Sequence, residues 1–147
     1  CEQCQKVGVD GIIIPDLPLE LYQSSYEKMF QKYGLSPIFL ITPQTSRERL
    51  KFIDELSSTF IYAVSSSSTT GKSTGINEGS TYLSGLKNLG LQHPVLVGFN
   101  ISTSEDLALV NEHAQGGIIG SAFIKHLREN TSPQEACHTF VKQITNC

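Results

Sequence analysis

The sequence predicts an α/β protein with parallel strands, and three observations support that class. Short apolar runs alternate with segments of helical pattern from end to end, and the five runs begin roughly 22 to 34 residues apart. The runs are continuously apolar, as buried parallel strands are. The last two runs each meet a glycine and a small hydroxyl residue ahead of a helix. Five such units fit an open doubly wound sheet or part of a closed (β/α)₈ barrel, and the two adjacent glycine-rich strand ends favour the barrel.

The strands are predicted from apolar runs bounded by proline, glycine or polar residues. Proline cannot donate a ladder hydrogen bond, so it marks where several of these runs start or stop. The five predicted strands are Ile12 to Ile14, Pro37 to Ile41, Phe60 to Val64, Pro94 to Val97 and Gly116 to Gly120.

The helices are predicted from capping residues at their starts and glycines at their ends. Thr45 or Ser46 caps one helix, and Pro133 suits the first turn of the last one. The predicted helices are Leu19 to Tyr33, the Thr45 or Ser46 cap to about Ser57, Thr81 to Leu89, Ser104 to Ala114, Ala122 to Arg128, and Pro133 to about Ile144.

Composition predicts one globular domain, residues 1–147, and excludes several classes of protein. The chain is 39% apolar and 17% charged, with a net charge of −3 and scattered basic residues, so nucleic-acid binding is not expected. No apolar run approaches the roughly 20 residues that cross a bilayer. Met29 is the only methionine and the chain opens on what reads as the tail of a helix, which indicates a fragment of a longer protein.

The cysteines and histidines give no metal site. Cys1 and Cys4 form a CxxC pair, but a closed zinc site needs four ligands, and no second pair is present. Free thiols fit a cytoplasmic protein. The four histidines lie apart in the sequence and are expected to be ordinary surface residues.

The last two predicted strands point to a phosphate site. Gly98, Phe99 and Asn100 follow one strand, and Gly120 and Ser121 follow the next. Glycine lets a ligand approach the backbone, and a helix N-terminus offers unpaired N–H groups at the positive end of its dipole. Two consecutive strand ends of this kind predict a phosphate-binding site.

The polar stretch from Ser65 to Gly79 is predicted to cover a ligand, with a surface loop as the alternative. Gly71-Lys72-Ser73 is similar to part of a P-loop, but Ser66 stands where that motif requires its first glycine. Asp16, at the end of the first strand, is a candidate catalytic, capping or partner-contacting carboxylate, and Tyr62 is a candidate core or ligand-facing residue.

The ordered series of motifs resembles the C-terminal portion of the tryptophan synthase alpha subunit family. Residues 7 to 20, VGVDGIIIPDLPLE, are similar to its fourth barrel strand and DxP turn, and residues 37 to 43, PIFLITP, to its fifth strand. Residues 60 to 71 resemble the sixth strand and closing loop, residues 97 to 102 the family's GFGIS, and residues 119 to 122 its GSA. The resemblance implies the last five βα units of a (β/α)₈ TIM barrel.

The resemblance implies that the complete protein is a lyase of tryptophan biosynthesis. It would cleave indole-3-glycerol phosphate to indole and glyceraldehyde 3-phosphate, in a heterotetramer with a beta subunit that carries pyridoxal phosphate. This chain would carry no cofactor and no metal. Asn100 replaces a glycine of the family and Ser66 an arginine. The implied substrate-binding residues are Tyr62, Thr70, Gly71, Phe99, Asn100, Gly120 and Ser121, with Ile13, Leu40 and Ile118 as apolar lining.

The family's two catalytic carboxylates, a Glu and an Asp, correspond to positions upstream of Cys1. No catalytic residue is therefore expected in this segment, and the isolated fragment is expected to be inactive. The alternatives are a phosphate-binding barrel of different chemistry and a non-catalytic remnant that acts on a partner beta subunit.

Overall fold

The computed structural model describes residues 1–64, 82–98 and 101–146. The chain groups into two compact units. The first unit comprises Cys1–Ala63 and Gly90–Val95, and the second comprises Val64–Leu89 and Leu96–Cys147. The expectation of a single domain stays a prediction.

The strands of the first unit are parallel, as predicted. Strand β1 (Gly11–Ile13) pairs with β2 (Ser36–Ile38), and β3 (Leu40–Ile41) pairs with β4 (Ile61–Val64). The Ile61 amide also donates to the Pro94 carbonyl at 2.9 Å, so β4 lies beside the residues that lead into the next strand. The predicted strand from Pro37 to Ile41 is thus two strands, because each half pairs with a different neighbour.

The helices of the first unit follow the predicted boundaries closely. Helix α1 is Glu2–Lys6, and α4 is Arg47–Leu56, with the Ser46 hydroxyl accepting a hydrogen bond from the Arg49 amide. The helix predicted from Leu19 to Tyr33 is present in three consecutive parts. These parts are α2 (Leu19–Leu21), a π-helical segment (Tyr22–Tyr26) and α3 (Glu27–Lys32).

Aromatic packing forms the centre of the first unit. Tyr22 is buried and meets the rings of Phe30 and Phe39 edge to face, with each pair of centroids 5.3 Å apart. This geometry is the one that aromatic quadrupoles prefer. Burial raises the pKa of the Tyr22 hydroxyl, and the nearby Glu27 carboxylate raises it further. The π-helical segment therefore begins at a residue fixed in the core.

The second unit contains two strands and four helices among its described residues. Strand β5 (Val95–Gly98, of which Val95 belongs to the first unit) pairs in parallel with β6 (Gly116–Gly117) through Leu96 and Val97. The helices are α5 (82–86), α6 (Ser104–His113), α7 (Ser121–Glu129) and α8 (Pro133–Thr145).

The last strand is shorter than the sequence predicts. The predicted run was Gly116 to Gly120, whereas regular pairing ends at Gly117. The Ile118 amide still donates to the Val97 carbonyl at 2.8 Å, and the chain then leaves the strand before α7 begins at Ser121. The remaining residues of the predicted strand form the short connection that precedes the candidate phosphate-binding helix end.

Within the described ranges, no helix is both long and apolar enough to cross a membrane.

Candidate functional site

Gly120 and Ser121 lie at the N-terminus of α7, as the sequence predicts. Gly120 is the N-cap residue, and its carbonyl accepts the Ile124 amide at 3.0 Å. Both residues are exposed, and a Cβ built on Gly120 would have no heavy atom within 4 Å. The backbone at this helix end is therefore open to a ligand.

No side chain in the described part of the chain caps α7. By contrast, Ser46 caps α4, Thr103 caps α6 and Ser132 caps α8, each by accepting a backbone amide. The first amides of a helix have no partner within the helix, and together with the dipole they attract an anion. The arrangement at α7 can therefore bind a phosphate through backbone N–H groups.

Glycine in β6 leaves room for close packing in the strand that leads to this helix end. A Cβ on Gly117 would lie 2.5 Å from Ile101 Cδ1 and 3.0 Å from Leu107 Cδ1. Ile101 is buried, so its side chain has little room to move. The next residue, Ile118, is half-buried and continues directly toward Gly120. The glycine thus lets the strand that leads to the candidate site pack against α6.

Three predicted apolar or aromatic residues lie in the strands of the first unit. Leu40 and Tyr62 are register partners in β3 and β4, and both are half-buried, whereas the next register pair, Ile41 and Ala63, is buried. Alternation along a strand places Leu40 and Tyr62 on one face of the pair. Ile13 lies at the end of β1 and is 42% exposed. The structure therefore brings Leu40 and Tyr62 together as neighbours.

Four of the predicted site residues lie outside the described residues: Thr70, Gly71, Phe99 and Asn100. The same holds for Ser66 and for the predicted ligand-covering stretch at 65–79. Their predicted roles stay predictions.

Asp16, the candidate carboxylate, is exposed in the turn that follows β1. Its position past the end of a strand is the predicted one. General acid–base catalysis requires a group within hydrogen-bond reach of the proton that it moves, so the catalytic role of Asp16 stays a prediction.

A buried carboxylate that the sequence did not reveal is Asp54 in α4. It is 6% exposed, and its oxygens accept the amides of Gln92 at 2.8 Å and His93 at 3.0 Å. The ring Nδ1 of His93 lies 3.0 Å from Asp54 Oδ1. Burial by itself raises the pKa of the Asp54 carboxyl, but these hydrogen bonds and the His93 ring more than offset it, so the pKa lies below its ordinary value. The carboxylate fixes the segment that enters β5.

Asp106 is the second carboxylate held by backbone amides. Its Oδ2 accepts the amides of Ser102 at 2.9 Å and Thr103 at 3.0 Å, and its own amide donates to Thr103 Oγ1. Burial raises the pKa of this carboxyl, and the hydrogen bonds lower it to a net value below the ordinary one. The spacing of Thr103 and Asp106 is similar to a capping box, which is the sequence signal that predicts this contact.

Two of the histidines make side-chain contacts that the sequence did not indicate. His93 contacts Asp54, and His126 Nε2 lies 3.0 Å from Thr139 Oγ1. Both rings are half-buried. Their partners are 39 and 13 residues away in the sequence, so local spacing gave no signal for either contact.

The thiols of Cys1, Cys4 and Cys137 are free. Within the described ranges, no group of three or more His, Cys, Asp or Glu side chains has the arrangement of a metal site.

Parallel strands joined by helices, with an uncapped helix after the last short strand, define the class as an α/β protein built from βα units. Residues 1–146 match the family described as "Tryptophan synthase alpha chain", and the chain belongs to that family. Among its relatives are the alpha chains of Flavobacterium johnsoniae, 52% identical over 133 residues, and Christiangramia forsetii, 48% identical over 145 residues. These alignments cover 90% and 98% of this chain.

Solved structures of the family agree with the fold. The alpha chain of Legionella pneumophila superposes with a TM-score of 0.80 at 31% identity, and covers 98% of this chain. A chain of the tryptophan synthase complex of Pyrococcus furiosus superposes with a TM-score of 0.78 at 28% identity, and covers 99%. The prediction of the C-terminal βα units of a TIM barrel with parallel strands is confirmed.

The chain spans about half the length of these relatives. It covers 53% of the Flavobacterium johnsoniae chain and 56% of the Christiangramia forsetii chain, and 53% and 58% of the two solved chains.

Proposed function

We propose that this chain supplies the phosphate- and substrate-binding side of a tryptophan synthase alpha subunit. The complete enzyme would be a lyase that cleaves indole-3-glycerol phosphate to indole and glyceraldehyde 3-phosphate. Family membership over residues 1–146 supports the assignment. The observation that carries it is the open N-terminus of α7 at Gly120 and Ser121, since it can bind the phosphate shared by substrate and product.

In this proposal the substrate's phosphate lies over the first amides of α7. The family resemblance adds Gly71 and Asn100 as further phosphate contacts. Tyr62, Thr70 and Phe99 would lie near the indole and glycerol groups. Ile13, Leu40 and Ile118 would provide the apolar lining, and the half-buried state of Leu40 and Ile118 leaves part of each side chain available to a ligand.

The reaction breaks the carbon–carbon bond between the indole ring and the glycerol chain. A general acid protonates the ring carbon, and a base takes the proton of the glycerol hydroxyl that becomes the aldehyde. The family's Glu and Asp for these roles correspond to units upstream of Cys1. Binding residues alone lack the roughly 10²–10⁴-fold that each acid or base typically contributes, so this chain by itself is proposed to be inactive.

The proposal includes a partner and a compartment. Indole released by the alpha subunit would pass to a beta subunit that carries pyridoxal phosphate, while this chain would need no cofactor of its own. One of the solved relatives comes from a tryptophan synthase complex, which supports a beta-subunit partner. We place the assembly, a heterotetramer, in the cytoplasm.

Ser121→Asp tests the phosphate placement. The substitution adds a negative charge beside the proposed phosphate, and like charges a few ångströms apart near a protein surface repel by a few kcal/mol, so affinity should fall about tenfold or more. The measurement is calorimetric titration with inorganic phosphate, on protein expressed from the complete gene.

Ser58→Asp is the matched control. Ser58 is exposed in the turn between α4 and β4, so the same added charge should leave phosphate affinity unchanged. Equal affinity in the wild type and in Ser121→Asp would place the phosphate elsewhere.

A further inference from the structure

We propose that His126 is a positioning residue for the phosphate site, because it holds α7 against α8 and so keeps the first amides of α7 aimed at the ligand. The inference rests on the proposed function, since it takes the phosphate to bind at Gly120 and Ser121. His126 itself lies toward the other end of the helix and does not touch the phosphate.

The hydrogen bond between the two helices has a defined direction. His126 Nε2 lies 3.0 Å from Thr139 Oγ1, and that hydroxyl lies 2.9 Å from the Glu135 carbonyl and 3.2 Å from the Ala136 carbonyl. A threonine hydroxyl has one proton, and here it is directed to a carbonyl of its own helix. The Thr139 oxygen is therefore assigned as the acceptor and the His126 Nε2–H as the donor.

The seam between α7 and α8 is what fixes the position of α7. The helix buries none of its own residues. It meets α8 through two aromatic rings, because Phe123 and His126 both pack against Phe140, with centroids 5.2 Å and 5.4 Å apart. Phe140 is buried and belongs to the core of the second unit. Phe123 and His126 are three residues apart, so they lie on one face of α7.

The last turn of α7 is held at the same place. The Asn130 side-chain amide donates to the His126 carbonyl at 2.7 Å, which satisfies one of the free carbonyls at the helix end. His126 thus joins three contacts: its ring nitrogen to Thr139, its ring to the tilted ring of Phe140 and its carbonyl to Asn130.

A shift at this seam reaches the phosphate site because a helix moves as a short rigid rod. His126 is five residues beyond Ser121, which is about 7.5 Å along the axis. Amide–oxygen hydrogen bonds work only over about 2.7–3.2 Å, so a displacement of about half an ångström at the helix start weakens them. Removing the His126–Thr139 bond frees α7 to tilt or slide against α8 and should reduce phosphate affinity.

The experiment compares five variants with the wild type, four single substitutions and the double variant His126→Leu/Thr139→Val, all expressed from the complete gene. Phosphate affinity is measured by calorimetric titration with inorganic phosphate, and thermal stability is measured in parallel. His126→Leu removes the donor and Thr139→Val removes the acceptor while preserving shape. His126→Gln tests rescue, because its side-chain amide can donate to Thr139. His138→Leu is the matched control, since His138 is an exposed histidine beside Thr139 on α8.

The expected result is a specific pattern of affinities. His126→Leu and Thr139→Val should each weaken phosphate binding about fivefold, the size expected for one net hydrogen bond. The double variant should be no weaker than either single one. His126→Gln and His138→Leu should stay within about twofold of the wild type.

Two results would overturn the inference. One is wild-type phosphate affinity in both His126→Leu and Thr139→Val, even where their thermal stability falls. The other is an equal loss in His126→Leu and His126→Gln, which would assign the effect to packing alone. Should His126→Leu not fold, Thr139→Val and the rescue variant decide. Absence of phosphate binding in the wild type would instead refute the proposed function, and this inference with it.

Discussion

A single buried carboxylate, Asp54, ties together parts of the first unit that are far apart in sequence. It accepts two consecutive backbone amides and contacts the His93 ring, all in the segment just before β5. A buried charge is tolerated only when it is paired and hydrogen-bonded, and these three donors meet that condition. Asp54 lies in α4, and its contacts fix the segment just before β5, so its contribution is to stability.

Asp54→Asn should lower the free energy of unfolding by about 1–3 kcal/mol at neutral pH. An asparagine keeps one oxygen acceptor but turns an N–H₂ group toward the remaining donors. Chemical denaturation of the wild type and the variant measures the difference. Glu55→Gln is the control, because Glu55 is exposed on the same helix and its change should have little effect.

The difference should also depend on pH in a defined direction. The pKa of Asp54 is lowered in the folded state, so its stabilisation is complete above the ordinary value of 3.8 and is lost as the pH falls through the lowered pKa. The gap between wild type and Asp54→Asn should therefore persist from neutral pH to about pH 4 and shrink only below it. A difference in the free energy of unfolding that stays constant as the pH falls well below about 4 would contradict this account.

At the scale of the secondary-structure elements, the close approach of β6 to α6 depends on the absence of a side chain. Gly117 leaves room for Ile101 and Leu107, and the same strand leads to the helix end that we propose binds phosphate. Interiors are packed densely enough that one added methyl group is felt. The element that precedes the site is therefore fixed by packing as well as by its hydrogen bonds to β5.

Gly117→Ala should destabilise the protein by about 1–3 kcal/mol, the usual range for overpacking a core. Gly85→Ala makes the same chemical change in α5, where a Cβ would meet nothing within 4 Å. There the better helix propensity of alanine should leave stability unchanged or raise it by up to about 1 kcal/mol. The thermal midpoint should thus fall in Gly117→Ala and stay the same or rise in Gly85→Ala. A Gly117→Ala protein as stable as the wild type would show that Ile101 can yield.

At the scale of the whole molecule, the first unit exposes several large apolar side chains. Within the described ranges, β1 pairs only with β2. The exposed large apolar residues of the first unit include Val7, Ile13, Ile14 and Leu21. Val7 is 75% exposed. A free strand edge with exposed apolar side chains favours pairing with a further strand, from the same chain or from another one. These exposed side chains are compatible with the proposed function, in which further βα units of the family would cover them.

The purified 147-residue chain should release no indole from indole-3-glycerol phosphate, whereas protein that also carries the family's remaining units should. The reason is that, in the proposed function, the catalytic acid and base belong to those remaining units. Spectroscopic detection of indole is the assay. Asp16→Asn in the complete protein should retain activity, because Asp16 is an exposed turn residue. Turnover by the 147-residue chain alone would show that the acid–base chemistry lies within this segment.

Much of the fold could be predicted from the sequence because its signals are local. Apolar runs marked the strands, Ser46 and Pro133 marked two helix starts, and Gly34 and Gly90, both with positive φ, marked two ends. The glycine and serine at the start of α7 gave the candidate phosphate site. Capping and glycine preferences depend on the residue itself and its nearest neighbours, so they can be recognised without knowledge of the fold.

The sequence by itself thus determined the parallel α/β class, the family and the open helix end at Gly120. Tertiary structure alone decided that the run from Pro37 to Ile41 divides between two neighbours, and that Asp54 contacts His93 and His126 contacts Thr139. The physical reason is that strand pairing and buried polar contacts join residues brought together only by folding. Their sequence spacing, 39 residues for Asp54 and His93, carries no local periodicity from which they could be predicted.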